Sequence, residues 1–187
     1  MSWPPISLDN VKKRYLSVSF NLEIKPSSCL LVTGANGSGK TTLLRLLLGF
    51  TFPDEGTLIK SKKIMISYLP EKAELPLFVT AFDYLLMISK LKQVELDIDL
   101  LTILEIPLFK QIRHLSKGNL QRVAIAATLI GPSDLIILDE PLSGLDRKTT
   151  NRLVKIVKKM LEEGQAFVIS THTPKAFLKL ATEHLEL

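Results

Sequence analysis

The sequence predicts an α/β fold with a mainly parallel core sheet and flanking helices. Three observations carry this. Cys29–Thr33, residues 135–138 and Ala166–Ser170 are short, unbroken apolar runs, the mark of strands covered on both faces of a parallel sheet. Between the last two, Arg147–Glu162 places Leu153, Ile156, Val157, Met160 and Leu161 at the i, i+3, i+4 spacing of an amphipathic helix. The first run leads straight into the glycine-rich residues 34–39, which are followed by a leucine-rich helical segment.

Taken in order, residues 29–33 form a strand and residues 40–49 a helix closed by Gly49. Residues 57–59 and 64–68 are strands joined by the polar link 60–63. Helical spacing covers residues 79–92 and 97–105, and Pro107 is the expected stop of the second helix. Residues 71–130 contain helices but no clear strand, so a helical subdomain is expected beside the sheet. No internal repeat and no Gly/Ser-rich linker divides the chain, and residues 1–187 are expected to form one domain.

Composition excludes several classes. With 46% hydrophobic and 23% charged residues the chain is not disordered, and one cysteine, Cys29, rules out a disulfide framework or a Cys-rich zinc site. Residues 1–18 hold Pro4, Pro5 and the basic run Lys12-Lys13-Arg14, not the apolar core of a signal peptide. The mean hydropathy of +0.22 is high. Arg45 and Asp83 nevertheless interrupt the apolar stretches 43–50 and 75–86, and no stretch reaches the ~20 residues of a transmembrane helix. The net charge is +5, from 24 Lys+Arg against 19 Asp+Glu. These cations are scattered and not interleaved with aromatics, so a nucleic-acid partner is not expected. A solvated basic surface accounts for them, with an anionic membrane face or a phosphate ligand as the alternative.

The chemistry begins at Gly34, Ala35, Asn36, Gly37, Ser38, Gly39, Lys40 and Thr41, which match G-x-x-x-x-G-K-[ST], with Thr42 next in the helix. Such a loop turns backbone N–H groups inward around phosphate, and the following helix aims its positive end at the anion. Lys40 supplies charge to the β/γ-phosphates, and the Thr41 hydroxyl is suited to Mg²⁺. The apolar run 135–138 delivers Asp139 to a strand's C-terminal end, where open α/β sheets bind ligands. Asp139 is a candidate Mg²⁺ holder, and Glu140 is a candidate to orient or deprotonate water.

With these motifs, Leu115-Ser116-Lys117-Gly118-Asn119-Leu120-Gln121-Arg122, Ser143-Gly144-Leu145-Asp146 and Ser170-Thr171-His172 occur in an order that resembles the ATP-binding subunits of ABC transporters. The resemblance covers nearly the whole chain. It implies the P-loop NTPase fold of ABC ATPases, with a small N-terminal antiparallel sheet and a helical subdomain. It also implies ATP and Mg²⁺ as ligands, a second ATPase subunit, and a separate integral membrane permease on whose cytoplasmic side the chain sits. Ser116 and Gly118, with Asn119, would contact the γ-phosphate of ATP held by the other subunit. Asp146 would lie at the dimer interface, and His172 would bond the γ-phosphate. Tyr15 would stack on adenine, the alternative being a strand residue of the small sheet. The short cassette and the form of its signature lean towards an exporter.

Three departures from the family pattern stand out. The signature reads Ser-Lys-Gly-Asn where Ser-Gly-Gly-Gln is commonest. Glu71 replaces the usual glutamine after the 64–68 strand; its carboxylate can still ligate Mg²⁺. Tyr15 and Gly34 are close in sequence, suggesting a trimmed hairpin. Cys29 is expected to be core filler. The stretch 75–86 is expected to be mostly core, part of it facing a groove for the permease, and Trp3 has no assigned role. The rival readings are a soluble ABC ATPase without a permease, acting on nucleic acid, translation or cluster assembly, and a regulatory module with a degenerate site.

Overall fold

In a computed structural model the described residues are 6–187; Trp3, Pro4 and Pro5 lie outside them. The three unbroken apolar runs become β3 (Cys29–Thr33), β6 (Leu135–Asp139) and β7 (Ala166–Ser170), each buried at every position. With β5 (Ile66–Leu69) and β8 (Glu183–Glu186) they form a parallel sheet in the order β5-β6-β7-β3-β8. A strand alternates its side chains between faces, so burial throughout requires cover on both.

One face supplies Leu30, Val32, Leu135, Ile137, Ala166 and Val168 to a core shared with α1 (Lys40–Leu48) and the small sheet. The other supplies Cys29, Leu31, Ile136, Leu138, Phe167 and Ile169. These meet α2 (Ala81–Leu91), α3 (Ile98–Ile103), α4 (Lys117–Leu129) and α5 (Arg147–Glu162). Cys29 is core filler as expected: it is fully buried, and burial pushes its thiol up to about 12.

The small antiparallel sheet has the order β2-β1-β4, from β1 (Ile6–Lys12), β2 (Ser19–Ile24) and β4 (Glu55–Lys60). The turn between β1 and β2 is pinned from outside. Asp54 accepts from Lys13 Nζ at 2.7 Å and from the Arg14 backbone N–H at 2.8 Å. Tyr15 therefore sits in a turn, which corrects the alternative that made it a strand residue of this sheet.

Between β5 and β6 every named element is helical, as expected for residues 71–130. Helix α2 starts two residues later than the spacing suggests, because Thr80 caps it by accepting from the Asp83 N–H at 3.1 Å. Asp97 caps α3 in the same way, accepting from Leu100 N–H at 2.9 Å. That helix does not run to Glu105. It stops at Ile103, and Glu105 turns the chain with a left-handed φ of 51°. No helix among the described residues is long and apolar enough to cross a membrane.

Candidate functional site

A cavity of about 850 Å³ opens at the C-terminal ends of β3 and β6, where an open parallel sheet presents its loops. The glycine-rich residues form its floor. Gly34, Gly37 and Gly39 have φ of 145°, 81° and 114°, which point backbone groups inward and exclude most side chains. At Gly34 a β-carbon would lie 2.2 Å from the Leu187 carbonyl oxygen and 2.7 Å from Ser38 Oγ, so this turn has no room for one. Lys40 Nζ donates to the Gly34 and Ala35 carbonyls at 2.7 and 2.9 Å, which holds its charge over the loop.

The structure brings most of the sequence-predicted residues together. Tyr15, Gly34, Ala35, Asn36, Gly37, Gly39, Lys40, Thr41 and Thr42 line the cavity, as do Glu71, Asp139, Glu140 and His172. Ser38 lies in the same loop, and its buried Oγ has no hydrogen-bond partner among the described residues. Ser116, Gly118 and Asn119 do not line this cavity. Ser116 caps α4, accepting from the Asn119 N–H at 3.4 Å. Gly118 abuts the loop after β6, where an added β-carbon would stand 2.6 Å from the Gly144 carbonyl oxygen.

Asp139 and Glu140 adjoin in sequence but differ in environment. Asp139 is only 6% exposed; burial raises its carboxyl above the usual range, Glu71 and Glu140 push the same way, and Lys40 opposes them. Glu140 has a left-handed φ of 48°, a strain of about 1–3 kcal/mol for a residue with a β-carbon. This places its carboxylate beside the end of β7. Oε1 accepts from the His172 backbone N–H at 2.9 Å, and Oε2 meets His172 Nδ1 at 2.8 Å and Thr171 Oγ1 at 3.3 Å. Thr171 is a site residue to which sequence reasoning gave no role. Its place within Ser170-Thr171-His172 was the available signal. Ser143, named only within its motif and given no role, and Leu16 also join the lining.

The donor set fits a magnesium ion bound together with a polyphosphate. Asp139 is a buried carboxyl that a cation would relieve, and Thr41 and Glu71 add oxygens in the same cavity. Among the described residues no group of three His, Cys, Asp or Glu could hold a metal alone. Mg²⁺ suits such a partial set, because it takes one or two protein ligands and completes its shell with phosphate and water.

Tyr15 is 68% exposed, its hydroxyl lies 3.5 Å from Thr42 Oγ1, and Lys13 Nζ lies 5.7 Å from its ring centre. Its flat ring lies at the cavity rim. Tyr15→Ala is expected to weaken ATP binding by about 1–3 kcal/mol, the range for one stacked base. Tyr15→Phe should retain affinity, and calorimetric titration of both variants checks this.

The α4 end and the loop after β6 are tied together. Arg122 Nη2 reaches Asp146 Oδ2 at 2.6 Å, and Gln121 Nε2 donates to the Pro141 carbonyl at 3.2 Å. Asp146 also caps α5, accepting from the Thr149 N–H at 2.8 Å. That backbone bond is the main cause holding its carboxyl below the usual range.

Comparison with known proteins agrees with this geometry. The family model described as ABC transporter matches residues 18–143. The chain is 33% identical to the zinc import ATP-binding protein of Rickettsia bellii, covering 87% of this chain and 74% of that protein. It is 36% identical to the zinc import ATP-binding protein of Wigglesworthia glossinidia brevipalpis, covering 80% of this chain and 65% of the relative. Among solved structures, a dimeric bacterial ABC transporter cassette superposes with a TM-score of 0.83 at 25% identity, covering 97% of this chain and 94% of that one. These relatives give no support to the exporter expectation. A phosphate loop, a buried aspartate and a glutamate–histidine pair around one cavity, together with the match over residues 18–143, show that the chain belongs to the ABC transporter family as an ATP-binding subunit, an ATPase.

Proposed function

We propose that the chain powers a membrane importer, working as a dimer in which each nucleotide lies between the phosphate loop of one subunit and the α4 end of the other. The observation that carries this is the split site. The loop, Asp139, Glu140 and His172 share one cavity, whereas Ser116, Gly118 and Asn119 lie outside it on the same chain. A second copy is needed to bring that helix N-terminus to the phosphate.

Lys40 and the loop amides bind the β/γ-phosphates, and Tyr15 stacks on adenine. Bound Mg²⁺, held by Thr41 and Asp139 with Glu71 nearby, would neutralise phosphate charge. Glu140 accepts the proton of the attacking water, and His172, bonded to Glu140 through Nδ1, turns its other ring nitrogen to the γ-phosphate. Closure on ATP and reopening after hydrolysis give the two states that a separate permease on the cytoplasmic membrane face converts into transport. The relatives' names point to zinc as the cargo class.

Lys40→Ala tests the core of this reading. Loss of a charge-assisted phosphate contact should weaken MgATP binding by about 1.5–3 kcal/mol and abolish turnover. Binding and turnover at parental levels would overturn it. For the cargo, cells lacking the chain should take up radioactive zinc more slowly, with recovery on re-expression of the parent but not of Lys40→Ala.

A further inference from the structure

Glu105 combines a strained backbone with a concentration of charge. It follows α3 with φ at 51°, a conformation that glycine would adopt without cost. Its carboxylate receives cations from two other helices. Arg152 Nη2 and Lys148 Nζ of α5 approach Oε1 at 2.7 and 3.0 Å, and Arg122 Nη1 of α4 lies 3.9 Å from Oε2. Arg122 in turn holds Asp146 at 2.6 Å. One side chain thus joins the end of α3, the helix that begins at the signature residues, and the helix that Asp146 caps.

This network depends on Glu105 because acceptors are scarce. Three cations share two carboxylates, and Arg122 Nε and Arg152 Nη1 are buried without an acceptor among the described residues. The Arg122 and Arg152 side chains are only 15% and 25% exposed. Hydrogen bonds from Arg152 and Lys148 push the Glu105 carboxyl down to about 2, so it stays charged through the neutral range. Single exposed ion pairs hold little, but removing a carboxylate shared by three cations leaves Lys148 and Arg152 without their ion-pair partner and Asp146 as the only carboxylate still paired with Arg122. A strained residue where glycine would be relaxed points to a use for its side chain.

We propose that Glu105 is a positioning residue for ATP hydrolysis: its clamp on Arg122, Lys148 and Arg152 sets the α4 end at residues 116–119 and the loop at residues 143–146 in the orientation that the partner's nucleotide requires. The proposal rests on the two-subunit ATPase reading above. Glu105 does not line the nucleotide cavity and acts through Arg122 and Asp146. A helix end that must meet a γ-phosphate across a subunit boundary loses much of its effect when displaced by even 1 Å or so.

Two full-length variants test it. Glu105→Gly relaxes the backbone and deletes the carboxylate; Glu105→Asp keeps the carboxylate and tolerates the left-handed turn. Without nucleotide, amide hydrogen exchange at residues 116–122 and 143–149 should accelerate about tenfold in Glu105→Gly and stay unchanged at residues 29–44. MgATP turnover should fall about tenfold while ATP affinity of the monomer is retained, and Glu105→Asp should recover most of the loss. Parental exchange rates at those two segments would overturn the proposal. So would parental turnover in Glu105→Gly, or a loss of affinity matching the loss of turnover. If the parent itself fails to hydrolyse ATP, the reading under Proposed function falls, and the exchange comparison still decides whether Glu105 holds these segments.

Discussion

Glu140→Gln should slow MgATP turnover by about 10²-fold or more and leave a long-lived ATP-bound dimer, read by size-exclusion chromatography with retained nucleotide. The expectation comes from what the substitution keeps and what it removes. The amide oxygen can still accept from the His172 backbone N–H, now 2.9 Å from Oε1, and the backbone at φ 48° is unaltered. What disappears is the charge and basicity facing the water. Binding and closure therefore survive, and the proton acceptor does not. Turnover within a few-fold of the parent would remove Glu140 from the chemistry and leave it as a tether for His172 and Thr171.

Gly118→Ala should cost about 10²-fold in turnover with little change in the affinity of the monomer for ATP. The added methyl group would stand 2.6 Å from the Gly144 carbonyl oxygen, a backbone atom that cannot swing aside. The start of α4 must then lift away from the loop after β6. Gly118 does not line its own chain's nucleotide cavity, so binding to a single subunit has no reason to weaken. Only the assembled site, where one subunit's α4 end meets the other's nucleotide, feels the shift. Paired measurements of nucleotide affinity at low protein concentration and steady-state turnover separate the two. If both fall together, the residue is merely structural.

The readable parts of the site were those whose chemistry is local. A phosphate loop needs its glycines, lysine and threonine next to one another, so residues 34–41 announce themselves in any register of the sheet. The buried runs were readable for a similar reason, because four consecutive apolar residues without alternation leave few options besides a doubly covered strand. Strand β8 was not recognised. Glu183, His184, Leu185 and Glu186 have no apolar run, and they become a strand only by pairing with β3 at the sheet edge, from Leu30↔Glu183 to Thr33↔Glu186. The end of α3 was misplaced because Pro107 is a visible breaker, while the left-handed turn at Glu105 leaves no trace in composition.

By itself the sequence determined the element types, the phosphate loop and the identity of the two site carboxylates, since each depends on residues a few positions apart. The tertiary structure decided how those groups are used. The parallel register that sets Asp139 opposite Ser170 carries Glu140 to Thr171 and His172, across thirty or so residues of intervening chain, and makes one carboxylate serve three donors. The close approach of Gly118 to Gly144, and the gathering of Arg122, Lys148 and Arg152 on Glu105, were likewise set by how helices pack over the sheet. Packing fixes such distances through burial of apolar faces far from the site, so the polar partners it brings together need share no pattern along the chain.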